Sequence, residues 1–170
     1  MRKLKDPEAS KQIGKASPGD DLEIDTMRMQ DLEEVMRIEK VSFSAPWSQS
    51  HFAHEIRRNP LSYPFVLRKK DAAHSKIVGF CVCWIVHEEL HVNNLAIAPA
   101  CRNRGYGEIL MRSVLDFGQN NSWRRAALEV RVSNQAAVRL YEKLGFRILG
   151  VAPNYYQDNG EDAYILIRKL

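Results

Sequence analysis

The sequence predicts an α/β (α+β) fold, with one domain built on a central mixed, mostly antiparallel sheet of seven strands flanked by about four helices. Length and composition indicate one domain, because 170 residues with 45% hydrophobic and 27% charged residues are enough for a single buried core. The element order indicates the mixed sheet. It reads strand, two helices, three strands, helix, strand, helix and two strands, so helices alternate with strands only in the second half.

The first 21 residues predict a flexible tail that precedes the domain. They are charged, contain two prolines and show little of the apolar periodicity that a buried element needs. We therefore expect the domain to span residues 22–170.

The elements of the domain follow from apolar periodicity and from residues that start or stop helices. Ser48 and Asn134 are placed to cap the second and fourth helices, and Gly145 is placed to end the fourth. The predicted helices cover residues 29–43, 48–58, 105–119 and 134–144. The predicted strands cover residues 22–27, 64–68, 77–87, 90–98 and 125–132, a sixth strand that opens at Phe146, and residues 162–168 after a loop at 151–161.

A basic turn from Arg102 to Gly107 joins the fourth strand to the third helix. Unpaired N–H groups and the helix dipole make such a place suitable for a phosphate or pyrophosphate, and Gly105 and Gly107 would let the ligand come close to the backbone. A dinucleotide fingerprint would need a small residue at position 110, which is Leu110, and no Walker loop is present. On local chemistry alone, a cofactor turn and an ordinary turn with solvated arginines both remain open.

Two polar side chains fall on otherwise apolar patterns. Glu129 lies midway along a strand near the sheet centre, where a carboxylate is costly unless it is paired, hydrated or functional. An ion pair with a neighbouring arginine, or an exposed strand face, is the structural alternative. Tyr141 lies on the apolar stripe of the fourth helix, and its spacing alone assigns it to the core.

Charge and cysteine content limit the classes of partner. A net charge of +4 and a pI near 9.0 allow an anionic ligand or a ribosomal neighbourhood but do not predict direct nucleic-acid binding. Three cysteines do not form a disulfide framework; Cys81 and Cys83 are expected to be buried thiols, and Cys101 is a candidate for oxidation. The scattered histidines indicate no metal site. Without a membrane-length apolar run or a signal peptide, we expect a cytoplasmic protein, and a monomer.

Several motifs resemble those of the GCN5-related N-acetyltransferase superfamily, beginning with R-x-x-G-x-G at Arg102, Gly105 and Gly107. The resemblance covers residues 22–170 and looks closest to the RimI-type ribosomal-protein alanine N-acetyltransferases. The other matching segments are Pro46-Trp47-Ser48, Leu128-Glu129-Val130-Arg131, Ser133-Asn134 with Ala136-Ala137, Leu140-Tyr141-Glu142-Lys143-Leu144-Gly145-Phe146, Asn154-Tyr155-Tyr156 and Gly160-Glu161-Asp162-Ala163.

This resemblance implies transfer of acetyl from acetyl-CoA to the N-terminal alanine of a small-subunit ribosomal protein, by direct attack of the amine and without a metal. It implies that Glu129 is the general base and Tyr141 the general acid. It also implies that the acetyl-pantetheine arm pairs with the fourth strand and that backbone amides of the turn hold the pyrophosphate. The implied cofactor contacts are Leu95, Ala96, Ile97, Arg102, Asn103, Arg104, Gly105, Tyr106, Gly107, Glu108 and Asn134.

By the same resemblance, the acceptor peptide threads between the loop around Trp47 and the loop around Tyr155 and Tyr156, where Glu161 or Asp162 could attract a basic residue after the alanine. The alternatives are that Trp47 is a packed loop tryptophan and that Glu161 and Asp162 only cap the last strand. Two other functions also remain open: an acetyltransferase for lysine side chains or small amines, and an inactive acetyl-CoA-binding or ribosome-associated module.

Overall fold

The computed structural model of the chain describes residues 12–16, 21–70 and 75–170. Four α-helices and eight strands lie within these residues, with single 3-10 turns at Met29–Asp31 and Pro99–Cys101. The strands are β1 (Gln12–Ala16), β2 (Leu22–Thr26), β3 (Ser62–Lys70), β4 (Ser75–Val86), β5 (Glu89–Ile97), β6 (Arg125–Arg131), β7 (Arg147–Tyr156) and β8 (Glu161–Lys169). The helices are α1 (Leu32–Ser42), α2 (Gln49–Arg57), α3 (Tyr106–Asn120) and α4 (Gln135–Lys143).

All the described strands form one sheet in the order β1-β2-β3-β4-β5-β6-β8-β7. Every neighbouring pair is antiparallel except β5 and β6, which confirms the predicted mixed, mostly antiparallel sheet. Seven strands are those that the sequence predicts, and β1 adds an eighth at the edge, inside the predicted tail. A strand of five residues is too short to be recognised from apolar periodicity. The rest of that tail, residues 1–11 and 17–20, lies outside the described residues, and so do residues 71–74 between β3 and β4.

The prediction of a loop at residues 151–161 is wrong for residues 151–156, because β7 continues through Tyr156. Its backbone pairs with β8 at Val151 and Ala152 and again between Tyr156 and Glu161, which leaves only residues 157–160 as a turn. Pro153 lies within this stretch of β7. Since β7 is the edge strand of the sheet, a proline there interrupts no hydrogen bond to a further strand.

Each face of the sheet carries its own core. On one face α3 and α4 pack against β4, β5, β6 and β8 around side chains such as Leu110, Leu128 and Leu166. On the other face α1 and α2 pack against β3 and β4 around Phe52 and Phe80. That second core includes no residue of β6, β7 or β8, so this half of the face is left uncovered by α1 and α2, and the candidate site lies there.

Candidate active site

The strands β5 and β6 separate partway along their length. Their parallel pairing runs from Glu89 opposite Arg125 to Val92 opposite Leu128 and then stops. The pairing of β5 with β4 shifts register at Asn93, which is one extra residue in β5 and forms a β-bulge. A bulge bends its strand. The backbone of Asn94–Ile97 therefore has no partner strand on its β6 side, and this opening includes the predicted contacts Leu95, Ala96 and Ile97.

The turn after β5 presents backbone amides to solvent. Asn103 and Gly105 both adopt left-handed backbone conformations, with φ of 58° and 79°, and Gly105 caps α3. The first helical hydrogen bond is donated by the Ile109 amide to the Gly105 carbonyl at 3.0 Å. The N–H groups of Tyr106, Gly107 and Glu108 consequently have no acceptor within the helix, and together with the helix dipole they suit an anion.

The two glycines of the turn have different roles. A Cβ built on Gly105 would meet nothing within 4 Å, so this position faces open space that a ligand can enter. A Cβ on Gly107 would lie 3.4 Å from Leu140 and 3.7 Å from Ile97. Gly107 therefore serves the close packing of α3 against β5 and α4. The Tyr106 side chain is also part of the core, so only its amide can reach a ligand.

The charged side chains of the turn are mostly engaged by the protein. Arg102 donates from Nε to the Ile97 carbonyl and from its terminal nitrogen to Ser42 Oγ, both at 3.0 Å, which ties β5 to α1. Glu108 accepts from Lys143 and Arg112, and these bonds lower its pKa. The two cations balance a carboxylate that would otherwise repel an anion. Arg104 is exposed.

Glu129 lies on the open face of β6 and is paired with a histidine. Its Oε2 is 2.9 Å from Nε2 of His91 on β5, and the Tyr155 hydroxyl donates to the same oxygen at 3.5 Å. The hydrogen bond with Glu129 raises the pKa of His91, and burial acts in the opposite direction. About 18% of the Glu129 side chain is exposed, so a substrate amine or a water can still reach it.

Tyr141 is buried in α4, as its spacing predicts, and its ring packs edge-on against Phe146. Its hydroxyl has no hydrogen-bond partner among the described residues, and burial raises its pKa well above the ordinary value. Tyr156 lies close enough to influence Tyr141 electrostatically and is itself influenced by Glu129.

Asn134 caps α4, with its side-chain oxygen accepting the Ala137 amide at 3.2 Å. The predicted capping role is confirmed. Its side-chain nitrogen donates to no described residue, so the predicted cofactor contact stays a prediction.

Trp47 packs against the protein, in agreement with the alternative that it is a packed loop tryptophan. Its ring stacks on His51 with centroids 4.0 Å apart and tilts against Phe52. The Trp47 amide donates at 2.7 Å to Glu39, a carboxylate of α1 that is only 1% exposed. Glu39 also accepts from Asn94 Nδ2 at 3.0 Å, and burial raises its pKa. Glu39 therefore fixes the Trp47 loop to β5 beside the bulge.

Arg131 holds together the two loops that are predicted to bind the acceptor peptide. Its guanidinium lies 3.8 Å from the centroid of the Tyr156 ring and bonds to Asp158 at 2.8 Å and to Glu161 at 3.0 Å. It also donates to Ser44 Oγ, in the loop between α1 and α2, at 3.2 Å. The two predicted peptide-contacting loops are thus joined on the open face of the sheet.

Both carboxylate oxygens of Glu161 accept hydrogen bonds from the described part of the protein. Besides Arg131, it accepts the Ser133 amide at 2.9 Å and a hydrogen bond from Asn159. Hydrogen bonding from Ser133, with Arg131 and Asn159 adding to it, lowers the pKa of Glu161 to about 2. These contacts favour the alternative that Glu161 stabilises the turn, and attraction of a basic acceptor residue stays a prediction.

We expect the Glu161→Gln variant to lose thermal stability in a pH-dependent way. Because the folded-state pKa is depressed, Glu161 contributes stability above its unfolded pKa near 4.5, and that contribution disappears as pH falls toward about 2. The difference in Tm between wild type and variant should be full at neutral pH and shrink between pH 4.5 and pH 2. A difference in Tm that stays constant over this range would contradict the assignment.

Sequence reasoning missed His91, Glu39 and Arg131. A signal existed for each: His91 and Glu129 are polar residues in strands that end up adjacent, Glu39 sits beside the apolar stripe of α1, and Arg131 shares a strand face with Glu129. Their contacts join residues that are distant in the chain, and no local pattern predicts such pairs.

The described residues contain no group of three or more His, Cys, Asp or Glu side chains that could hold a metal ion. The helices within the described ranges are all too short or too polar to cross a membrane. Cys81 and Cys83 are buried free thiols in one core, as predicted, and Cys101 is partly exposed.

Comparison with known proteins identifies relatives across most of the chain. The profile described as "Acetyltransferase (GNAT) family" matches residues 32–146. A Bacillus subtilis protein, provisionally named as a [ribosomal protein bS18]-alanine N-acetyltransferase, is 41% identical over 140 residues, which cover 82% of this chain and 90% of that protein. The crystal structure of the Escherichia coli ribosomal-protein-alanine N-acetyltransferase superposes with a TM-score of 0.77 at 30% identity, covering 87% of this chain and 93% of that one. Arabidopsis thaliana NAA60 in complex with acetyl-CoA shares the fold, with a TM-score of 0.79 at 18% identity over 88% of this chain and 99% of that chain.

Proposed function

Because the chain belongs to the acetyltransferase (GNAT) family, we propose that it transfers the acetyl group of acetyl-CoA to the α-amino group of an N-terminal alanine in a ribosomal protein. Membership confirms the resemblance drawn from the sequence motifs. The names of the relatives from Bacillus subtilis and Escherichia coli support the acceptor. The observation that carries the proposal is the position of Glu129, a reachable carboxylate on the open sheet face beside the separation of β5 from β6.

The residues present fit acetyl-CoA. The unpaired backbone of Asn94–Ile97 can pair with the amide-bearing pantetheine arm, as an added strand would. The free amides of Tyr106 to Glu108, with open space in front of Gly105, can hold the pyrophosphate. When bound, acetyl-CoA supplies the activated acetyl group as a thioester. The described part of the chain thus offers a place for both ends of the molecule.

The reaction needs a base, because an α-amino group with a pKa near 8 is mostly protonated at neutral pH and only the neutral amine attacks a thioester. Glu129 takes this proton directly or through a water. Tyr141, which stays protonated because burial raises its pKa, donates its proton to the departing thiolate. The free N–H groups of β5 stabilise the oxyanion that develops at the carbonyl.

We further assign to His91 the removal of the proton from Glu129. Its Nε2 is 2.9 Å from the carboxylate, and about 26% of the side chain is exposed, so it can pass the proton on to solvent. The groups facing it are Glu129 on β6 and Glu89 on its own strand, whose carboxylate lies 4.0 Å from Nδ1 and is itself paired with Arg125. Neutral His91 is the form that can accept a proton.

A His91→Asn variant should keep most of the fold and lose one ionisation from its pH profile. In the wild type, kcat/KM should rise with pH through an apparent pKa above 6.5, because Glu129 raises the pKa of His91 and the neutral form is active. The variant should lack this limb and turn over about tenfold more slowly at pH 7.5. The measurement is a pH profile of acetyl transfer to a peptide.

His87→Asn is the matched control, since His87 is an exposed turn residue with a φ of 47°, a conformation that asparagine adopts readily. This control should retain the wild-type profile. An unchanged profile in His91→Asn would remove His91 from the proton path and leave Glu129 as the sole base.

The test of the proposed function is release of CoA thiol in the presence of a panel of acceptors. We expect release with peptides that begin with alanine and none when that alanine is already acetylated. Faster release with internal lysines or small amines would replace the proposal with a different acetyltransferase activity. Binding of acetyl-CoA without release for any acceptor would identify an inactive binding module.

The proposal places the enzyme in the cytoplasm, where ribosomal proteins are made. A single copy of the chain suffices for it, because every group named above belongs to the same chain.

A further inference from the structure

A second site lies at the opposite end of the open sheet face from the two acceptor loops. It is a groove of about 800 Å³ where β6 begins, β7 begins and β8 ends. Five of its seven lining residues are cationic, and no carboxylate lines it. We refer to it as the basic groove. Its lining residues are Arg124, Arg125, Gly145, Arg147, Ile167, Arg168 and Lys169.

The charge of the basic groove is only partly balanced. Arg124 pairs with Glu88 at 2.9 Å and Arg125 pairs with Glu89. Arg147 and Lys169 are exposed, and no carboxylate of the described residues lies within salt-bridge distance of either. Arg168 donates to the Leu144 carbonyl, which leaves its charge unneutralised. Arg147 and Lys169 are therefore available to an anionic partner, and Arg168, the neighbour of Lys169 in β8, adds a third unpaired charge from the opposite face of the sheet.

Three cations of the basic groove lie on the same face of the sheet as the catalytic carboxylate. Lys169 lies opposite Arg125 and Arg147 lies opposite Ile167, while Glu129 lies opposite Ile165. Residues that are directly opposite share a face and the face repeats every second residue, so these cations and Glu129 face the same side of the sheet. Arg125 and Glu129 are four positions apart in β6, which places the Arg125 end of the groove ~13 Å from the base.

We propose that the basic groove binds the phosphate backbone of RNA next to the acceptor. Arginine guanidinium groups bind phosphate oxygens with two parallel hydrogen bonds, and four arginines line the groove. No aromatic side chain lines it for bases to stack on, so contact should be to the backbone and largely independent of sequence. This inference rests on the proposed function, because a ribosomal acceptor would bring RNA with it.

The net charge of the whole chain is only +4 and does not show that five cations are clustered in one groove. The cations come from three separate places in the chain, brought together by the ends of three strands. This is why composition alone predicted no direct nucleic-acid binding.

The experiment measures binding of a fluorescein-labelled RNA hairpin to wild type and to the Arg147→Glu/Lys169→Glu variant at several salt concentrations. We expect the variant to bind about tenfold or more weakly. The slope of log K against log salt should fall by about 1.5 to 2, as expected when two phosphate contacts are lost. The Arg57→Glu/Arg58→Glu variant is the matched control. It removes the same four units of charge from exposed residues at the end of α2 and should bind RNA nearly as wild type does.

Acetylation of an alanine-initiated peptide, measured on the same samples, should be unchanged in Arg147→Glu/Lys169→Glu, because neither residue belongs to the catalytic site. That readout separates failure of this inference from failure of the proposed function. Equal weakening by both double variants would overturn the proposal, as would tighter binding of polyglutamate than of RNA. Competition between RNA and acetyl-CoA would also overturn the proposal, because it would show that RNA binds at the turn before α3 and not in the basic groove.

Discussion

The Glu129→Gln variant is expected to acetylate an alanine-initiated peptide about 100 to 1,000 times more slowly than wild type at neutral pH, with little change in its affinity for acetyl-CoA. Glutamine fills the same space and can still bond to His91, but it cannot take a proton. Removal of a general base lowers the rate of the chemical step and leaves cofactor binding intact. Steady-state kinetics and calorimetric titration with acetyl-CoA measure the two effects separately.

The defect of Glu129→Gln should shrink as pH rises above about 8, because the α-amino group then loses its proton without help. A purely structural role for the Glu129–His91 pair would give a defect of similar size at every pH, together with a lower Tm. Glu23→Gln is a suitable control, since Glu23 is also a strand carboxylate in an ion pair, with Lys70, but lies on β2. Wild-type rates in Glu129→Gln would end its assignment as the base.

The Gly105→Val variant should bind acetyl-CoA at least about tenfold more weakly, whereas Arg104→Ala should change the affinity by no more than about threefold. Gly105 has a φ of 79°, which a β-branched residue adopts only at a cost of about 1–2 kcal/mol. A valine side chain would also enter the open space in front of the amides of α3. The comparison tests whether backbone amides, rather than arginine side chains, hold the pyrophosphate.

Gly160→Val controls for backbone strain, since Gly160 has a φ of 71° in the turn between β7 and β8. It should lower stability by a similar amount and leave acetyl-CoA affinity close to that of wild type. A larger loss of affinity in Arg104→Ala than in Gly105→Val would contradict the assignment of the turn.

The sequence predicted those parts of the fold that are encoded locally. The caps at Ser48 and Asn134 and the left-handed Gly145 are confirmed, because each depends only on a few neighbouring residues. The second half of β7 was predicted as a loop but pairs with β8, and it accommodates Pro153 because β7 lies at the edge of the sheet. Edge position is a property of the whole sheet.

The candidate site could be predicted only in part, for the same reason. Glu129 was singled out because a carboxylate on a buried strand is unusual, and the family resemblance supplied its role. Its partner His91 is 38 residues away and became visible only once β5 and β6 were paired. The strand separation that exposes β5 also depends on the bulge at Asn93, which no apolar pattern marks.

The central claim, that this chain acetylates the α-amino group of an alanine, is tested most directly by locating the acetyl group on one peptide. The peptide begins with alanine and carries an internal lysine, and it is incubated with the protein and acetyl-CoA and then fragmented in a mass spectrometer. We expect a single acetyl group on the α-amino nitrogen of the alanine, absent when Glu129→Gln replaces wild type at neutral pH. An acetyl group on the lysine, or no transfer to the free alanine, would contradict it.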